Sequence, residues 1–189
     1  FDHNQPGSQT SYGHACTFAD YGCVPINSIN IFKELPSLLL KNDGPLAINY
    51  LYLIKNLPWA INFLRNCRKT KVEYIANSLK NLLDHSSLAY DQIFEQVNVK
   101  QYIKNAEAMY LYNTEKDFIS AQYSIDLRKR LGVRLKELDK NIIRDMEPNI
   151  APVYFKGILF EGSRYTTNPL KVSQKIFYTF IDRGGKFLN

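Results

Sequence analysis

The strongest hydrophobic period in this chain lies between Thr70 and Leu83. Val72, Ile75, Ala76, Leu79, Leu82 and Leu83 recur at spacings of three and four, with Lys71, Asn77, Lys80 and Asn81 on the other side. That pattern predicts an amphipathic helix. A second helix is expected from about Ser86 to Gln96. Upstream, Tyr50 to Asn56 gives a helical turn or two, and Pro58 suits the first turn of a further helix carrying Trp59, Phe63 and Leu64. Together these make a helical excursion over about 50–98. Before it, Ser28 can cap a short helix to Leu35, Asn42-Asp43-Gly44-Pro45 is a turn, and Leu46 to Asn49 is compatible with a strand.

After Asn98 the pattern changes. Tyr102-Ile103-Lys104 and Ala108 to Tyr112 read as two strands joined at Asn105 to Glu107. Thr114 with Asp117 three residues on is a capping-box variant, opening a helix whose apolar face is Phe118, Ala121, Ile125 and Leu131 and which Gly132 ends. Val133 to Leu138 is a strand, and Asp139 caps a short helix to Met146 that Glu147-Pro148 stops. The last third reads as strand, turn, strand and helix: Lys156 to Phe160, Glu161-Gly162-Ser163, a short return at Arg164 to Thr166, then Asn168-Pro169 starting a helix. Ile176, Phe177, Phe180 and Ile181 form that helix's stripe.

Both ends look cut at strands. Phe1-Asp2 reads as the last step of a buried strand, with a carboxylate where the backbone leaves the sheet. Pro6-Gly7 turns the chain, and Ser8 to Gly13 are small and polar apart from Tyr12, suited to laying backbone against a flat ligand. Gly184-Gly185 ends the last helix and Lys186 to Leu188 begins a further strand. The expected class is α+β, a mainly antiparallel sheet with packed helices.

Composition narrows this little. The net charge of +6 admits nucleic acid, anionic lipid or an acidic substrate, but Arg65, Arg68, Lys69 and Lys71 form the only dense basic group. Cys16, Cys23 and Cys67 match no metal or disulfide spacing and suggest a reduced, intracellular protein. His3, His14 and His85 lack ligand spacing. No window predicts a membrane-spanning helix. The glycine-loop, nucleophile-elbow and zinc-protease signatures are missing from the sequence, and no carboxylate pair stands out as acid and base.

The order of short motifs adds what spacing alone does not. Phe1-Asp2 to Gly13-His14-Ala15, Gly44 to Ile48, Leu57-Pro58-Trp59 to Arg65, Met109 to Tyr112 with Thr114-Glu115, Glu137-Leu138-Asp139, Met146-Glu147-Pro148, Ala151-Pro152, Gly157 to Phe160 and Asn168-Pro169 follow one another along the chain. In that order they resemble the FAD-dependent D-amino acid dehydrogenases, within the wider group of glycine, sarcosine and D-amino acid oxidases. The resemblance covers only the middle of a family member. It implies a two-domain oxidoreductase whose Rossmann-like flavin-binding part is largely outside this chain. Residues 1–15 would be a remnant of that part, 16–183 the substrate domain, and 184–189 the start of a returning strand.

By the same resemblance Asp2 matches the residue contacting the adenosine ribose, and His3 its neighbour at the adenine. Thr10, Ser11, Tyr12, Gly13 and His14 match the loop along the flavin ring, with His14 where the family has Asn. Strands near Leu46, Tyr110 and Leu159 would roof the flavin, and Tyr50, Tyr110, Tyr112 and Tyr165 are candidates to line the substrate pocket. No catalytic side chain is assigned. The reaction implied is oxidation of a D-amino acid to a 2-oxo acid and ammonia, with a quinone or the respiratory chain as acceptor and this fragment inactive by itself. The implied setting is bacterial and cytoplasmic, with room for peripheral contact at the inner face of the cell membrane and no nucleic acid partner. Alternatives are a glycine- or sarcosine-type amine oxidase, or a basic helical module that binds nucleic acid or a membrane surface.

Overall fold

The computed structural model describes residues 4–14, 16–27, 29–32 and 50–188. Phe1 to His3 and the strand expected at Leu46 to Asn49 lie outside them. So does most of the Ser28 to Leu35 helix, of which Ile31 and Phe32 are seen as helical. The chain divides into two compact units, Gly22–Asn81, and Phe1–Tyr21 with Leu82–Asn189.

The Gly22–Asn81 unit is helical. Helix α1 spans Tyr50–Lys55, α2 spans Leu57–Asn66, and α3 spans Lys69–Gln96, crossing into the other unit. Asn56 separates α1 from α2, yet its amide donates to Tyr52 O at 3.0 Å and its carbonyl accepts from Ala60 N at 3.1 Å. The interruption falls here because Pro58, in the first turn of α2, has no amide to donate. Cys23, Cys67, Val72 and Ala76 are fully buried, and buried Asn27 donates through Nδ2 to Asn66 O at 2.6 Å.

The two helices expected at Thr70 to Leu83 and Ser86 to Gln96 are one, α3, of 28 residues. Asp84 to Ser87 are weak helix formers but contain neither Pro nor Gly, so nothing forces a break. Ser86 does not cap a new helix; its hydroxyl donates to Leu83 O at 2.7 Å, within the turn it already occupies.

The other unit is built on antiparallel strands. One sheet has the order β1-β6-β2 and the other β3-β5-β4. The strands are β1 Thr17–Phe18, β2 Ile103–Asn105, β3 Ala108–Tyr112, β4 Leu135–Leu138, β5 Lys156–Phe160 and β6 Arg164–Thr166. The expected joined strands β2 and β3 do not pair with each other, and β6 does not return along β5. Instead β2 pairs with β6 and β3 with β5. Ile103 faces Thr166 and Asn105 faces Arg164, whereas Ala108 faces Phe160, so the register slips by one residue between the sheets. Two residues, Ala106 and Glu107, oppose three, Glu161 to Ser163. Gly162 takes φ +77° there, and Ala106 N donates to Ser163 O at 3.0 Å. The expected turn is there, at Glu161 and Gly162, but it connects two sheets and the ladder shifts register across it, so β6 does not return along β5.

Helices cover both faces of the β3-β5-β4 sheet. Helix α4 (Glu115–Arg130) packs Ile125, Phe118 and Ala121 against Ile158, Phe160 and Tyr112, while α5 (Lys140–Met146) packs Ile143 against Leu138 and Leu159. The caps are those the sequence signals. Thr114 and Asp117 form the reciprocal capping box, Asp139 accepts from Asn141 N and Ile142 N, and Gly132 follows α4 at φ +79°. Helix α6 (Pro169–Asp182) starts at Asn168, whose side chain accepts from Lys171 N at 2.9 Å. Of its apolar positions Val172 is buried with Phe94, Val97 and Val99. Ile176 and Phe180, expected on a buried stripe, are 37% and 51% exposed. Lys186 to Leu188 join no strand.

Candidate functional site

The N-terminal loop is held on α6 by a glycine. Gly7 adopts φ +77°, and a Cβ there would lie 2.8 Å from Ser173 Cβ and 3.3 Å from Leu170 Cδ1. The same turn is closed by Ser8, whose amide and hydroxyl both donate to Gln5 O, at 3.1 and 2.6 Å. Tyr12 N donates to Gln9 O at 3.0 Å. At the other end of the loop Cys16 is a non-glycine residue at φ +69°. Its amide donates to His14 Nδ1 at 2.9 Å, its thiol to His14 O at 3.1 Å, and its carbonyl accepts from Thr166 N at 2.8 Å. These bonds fix the left-handed turn that delivers the loop into β1, at a backbone cost of about 1–2 kcal/mol. With Nδ1 as acceptor, the ring proton of neutral His14 sits on Nε2.

Between this loop, β1, the end of α3 and the first turns of α6 lies a cleft of about 240 Å³. Ser11, His14 and Cys16 line one side, Thr17 and Phe18 the floor, and Thr166, Val172, Ser173 and Ile176 another side; Tyr90 and Phe94 close it. Phe18 meets both of those rings edge-on, at 5.0 and 5.5 Å. The volume is below the range of about 300–1,000 Å³ usual for a small-molecule site.

A second group of polar side chains sits on the α4 face of the β3-β5-β4 sheet. Tyr21 stacks on Phe160 at 4.3 Å and meets the Tyr110 ring edge-on at 5.7 Å. Arg128 reaches it from α4, donating through Nε to Tyr21 O at 3.2 Å and lying over the Phe160 ring at 5.6 Å. Burial, reinforced by the neighbouring Tyr110 hydroxyl and opposed by Arg128, pushes the Tyr21 phenol up to about 12. Burial also raises Tyr112, with Arg128 pulling the other way. These phenols hold their protons at neutral pH and present donors rather than charges.

The structure therefore brings Ser11 and His14 into one cleft, with Thr10, Tyr12 and Gly13 in the exposed part of the same loop. It brings Tyr110 and Tyr112 together elsewhere, around Tyr21. Tyr165 lies in β6, opposite Thr17 and Lys104, and alternates away from buried Thr166. Tyr50 begins α1, and its side chain, like Asp2 and His3, lies outside the described residues. Cys16, Thr166, Ser173 and Tyr21 were not legible as site residues. Thr166 had the best signal, a polar residue two positions before a strong helix start. Among the described residues no group of three or more His, Cys, Asp or Glu could hold a metal ion.

Comparison with known proteins places this arrangement in a class. No family model matches the chain. It is 30% identical over 171 residues to the D-amino-acid oxidase of Bradyrhizobium diazoefficiens, an alignment covering 89% of this chain and 40% of that protein. It is 24% identical over 149 residues to a D-amino acid dehydrogenase of Neisseria gonorrhoeae, covering 78% of this chain and 33% of the relative. Among solved structures, the L-proline dehydrogenase of P. horikoshii superposes with a TM-score of 0.51 at 11% identity, covering 60% of this chain and 30% of that one. The glycine oxidase of Geobacillus kaustophilus gives 0.50 at 15%, covering 59% and 31%. The structural likenesses bear out the mixed helix and antiparallel-sheet fold. The sequence likenesses bear out the resemblance: the chain is similar to a D-amino-acid oxidase and a D-amino acid dehydrogenase, and spans about two fifths or less of the relatives it matches.

Proposed function

We propose that this chain forms the substrate-side part of an FAD-dependent oxidoreductase that converts D-amino acids to 2-oxo acids and ammonia. The observation that carries this is the 30% identity to a D-amino-acid oxidase along 89% of the chain. One observation supports a place for the cofactor at this loop. A Cβ at Gly13 would meet nothing within 4 Å, and Thr10, Tyr12 and His14 are exposed, so open backbone is available to a planar ring. Ser11 to His14 would lie along the flavin, and Asp2 and His3 would take the adenosine. FAD, when bound, supplies the two-electron chemistry, accepting hydride from the substrate Cα and leaving an imino acid that water hydrolyses.

What this chain adds is orientation. The Gly7 and Cys16 turns pin both ends of the loop. Tyr112, whose phenol burial pushes up, and its neighbour Tyr110 are candidates to donate to a substrate carboxylate. The domain division proposed is 1–15 as flavin-side remnant, 16–183 as substrate domain and 184–189 as return. We assign the electrons to a quinone or respiratory-chain acceptor, with peripheral contact at the membrane's inner face, and expect the 189-residue chain alone not to turn over. A protein carrying this chain together with its flavin-binding part should lose flavin absorbance anaerobically on addition of a D-amino acid but not its L-enantiomer. Failure to bleach with any D-amino acid, with glycine or sarcosine bleaching instead, would reassign the substrate.

A further inference from the structure

We draw no further inference here: the strongest candidate, the cleft between the N-terminal loop, β1, the end of α3 and the first turns of α6, belongs to the site already described, and nothing in the structure shows what fills it.

Discussion

Single residues decide how the N-terminal loop is presented. Gly7→Ala would impose a side chain at φ +77° and push its Cβ into Ser173, so a loss of about 2 kcal/mol is expected in urea denaturation. Adding Ser173→Gly should restore the part due to the clash and leave the backbone strain; no difference between single and double variants would show that the loop does not rest on α6. The cysteines give a second check. Cys23 and Cys67 are fully buried and burial pushes the Cys67 thiol up, whereas Cys16 is partly accessible beside the cleft. A thiol reagent should label Cys16 first and the other two only in denaturant. Early labelling of Cys67 would contradict the packing of the Gly22–Asn81 unit.

At the scale of elements, the local signals were the legible ones. Thr114, Asp139 and Asn168 were read as caps because each needs only a side-chain oxygen within three residues of a free amide. Pairing was not legible. The Glu161 to Ser163 run is the turn its Gly signals, but sequence does not show that the Ser163 carbonyl accepts from Ala106 N and that the Glu161 amide donates to Arg134 O. The same limit applies to Arg164, which looked like an ordinary strand residue. Its side chain is 11% exposed, pairs with Asp91, donates to Ser87 Oγ at 2.8 Å and lies over Phe94 at 6.0 Å, fastening β6 to α3. Arg164→Ala should cost about 1–2 kcal/mol, since it removes the donor to part-buried Ser87 and the packing over Phe94, while the exposed Asp91 contributes little. Arg164→Lys should recover less than half of that, because one ammonium cannot span both partners. Full rescue by lysine would mean the charge alone matters there.

At the scale of the whole molecule, the family order of motifs gave the class of fold and of chemistry. The exposed positions of α6, Ile176 and Phe180, lie beside a cleft that Ile176 itself lines. Alkaline pH tests Tyr21, on the α4 face of the β3-β5-β4 sheet. An unfolded tyrosine ionises near 10, while Tyr21 in the fold holds its proton to about 12. Between those values the unfolded chain binds fewer protons than the native one, so stability falls as pH rises. The contribution is fully present below pH 10 and is lost on passing through 12, with Tyr112 acting in the same direction. Urea midpoints measured from pH 9 to 12 on the chain and on Tyr21→Phe should converge as pH rises, the variant lacking the part of the decline that Tyr21 causes. Its loss of the Tyr110 hydrogen bond lowers its midpoint at pH 9, so the slope and not the starting value is the readout. Parallel slopes would mean that Tyr21 reaches solvent, and that the Tyr21–Phe160–Arg128 stack does not seal this side of the sheet.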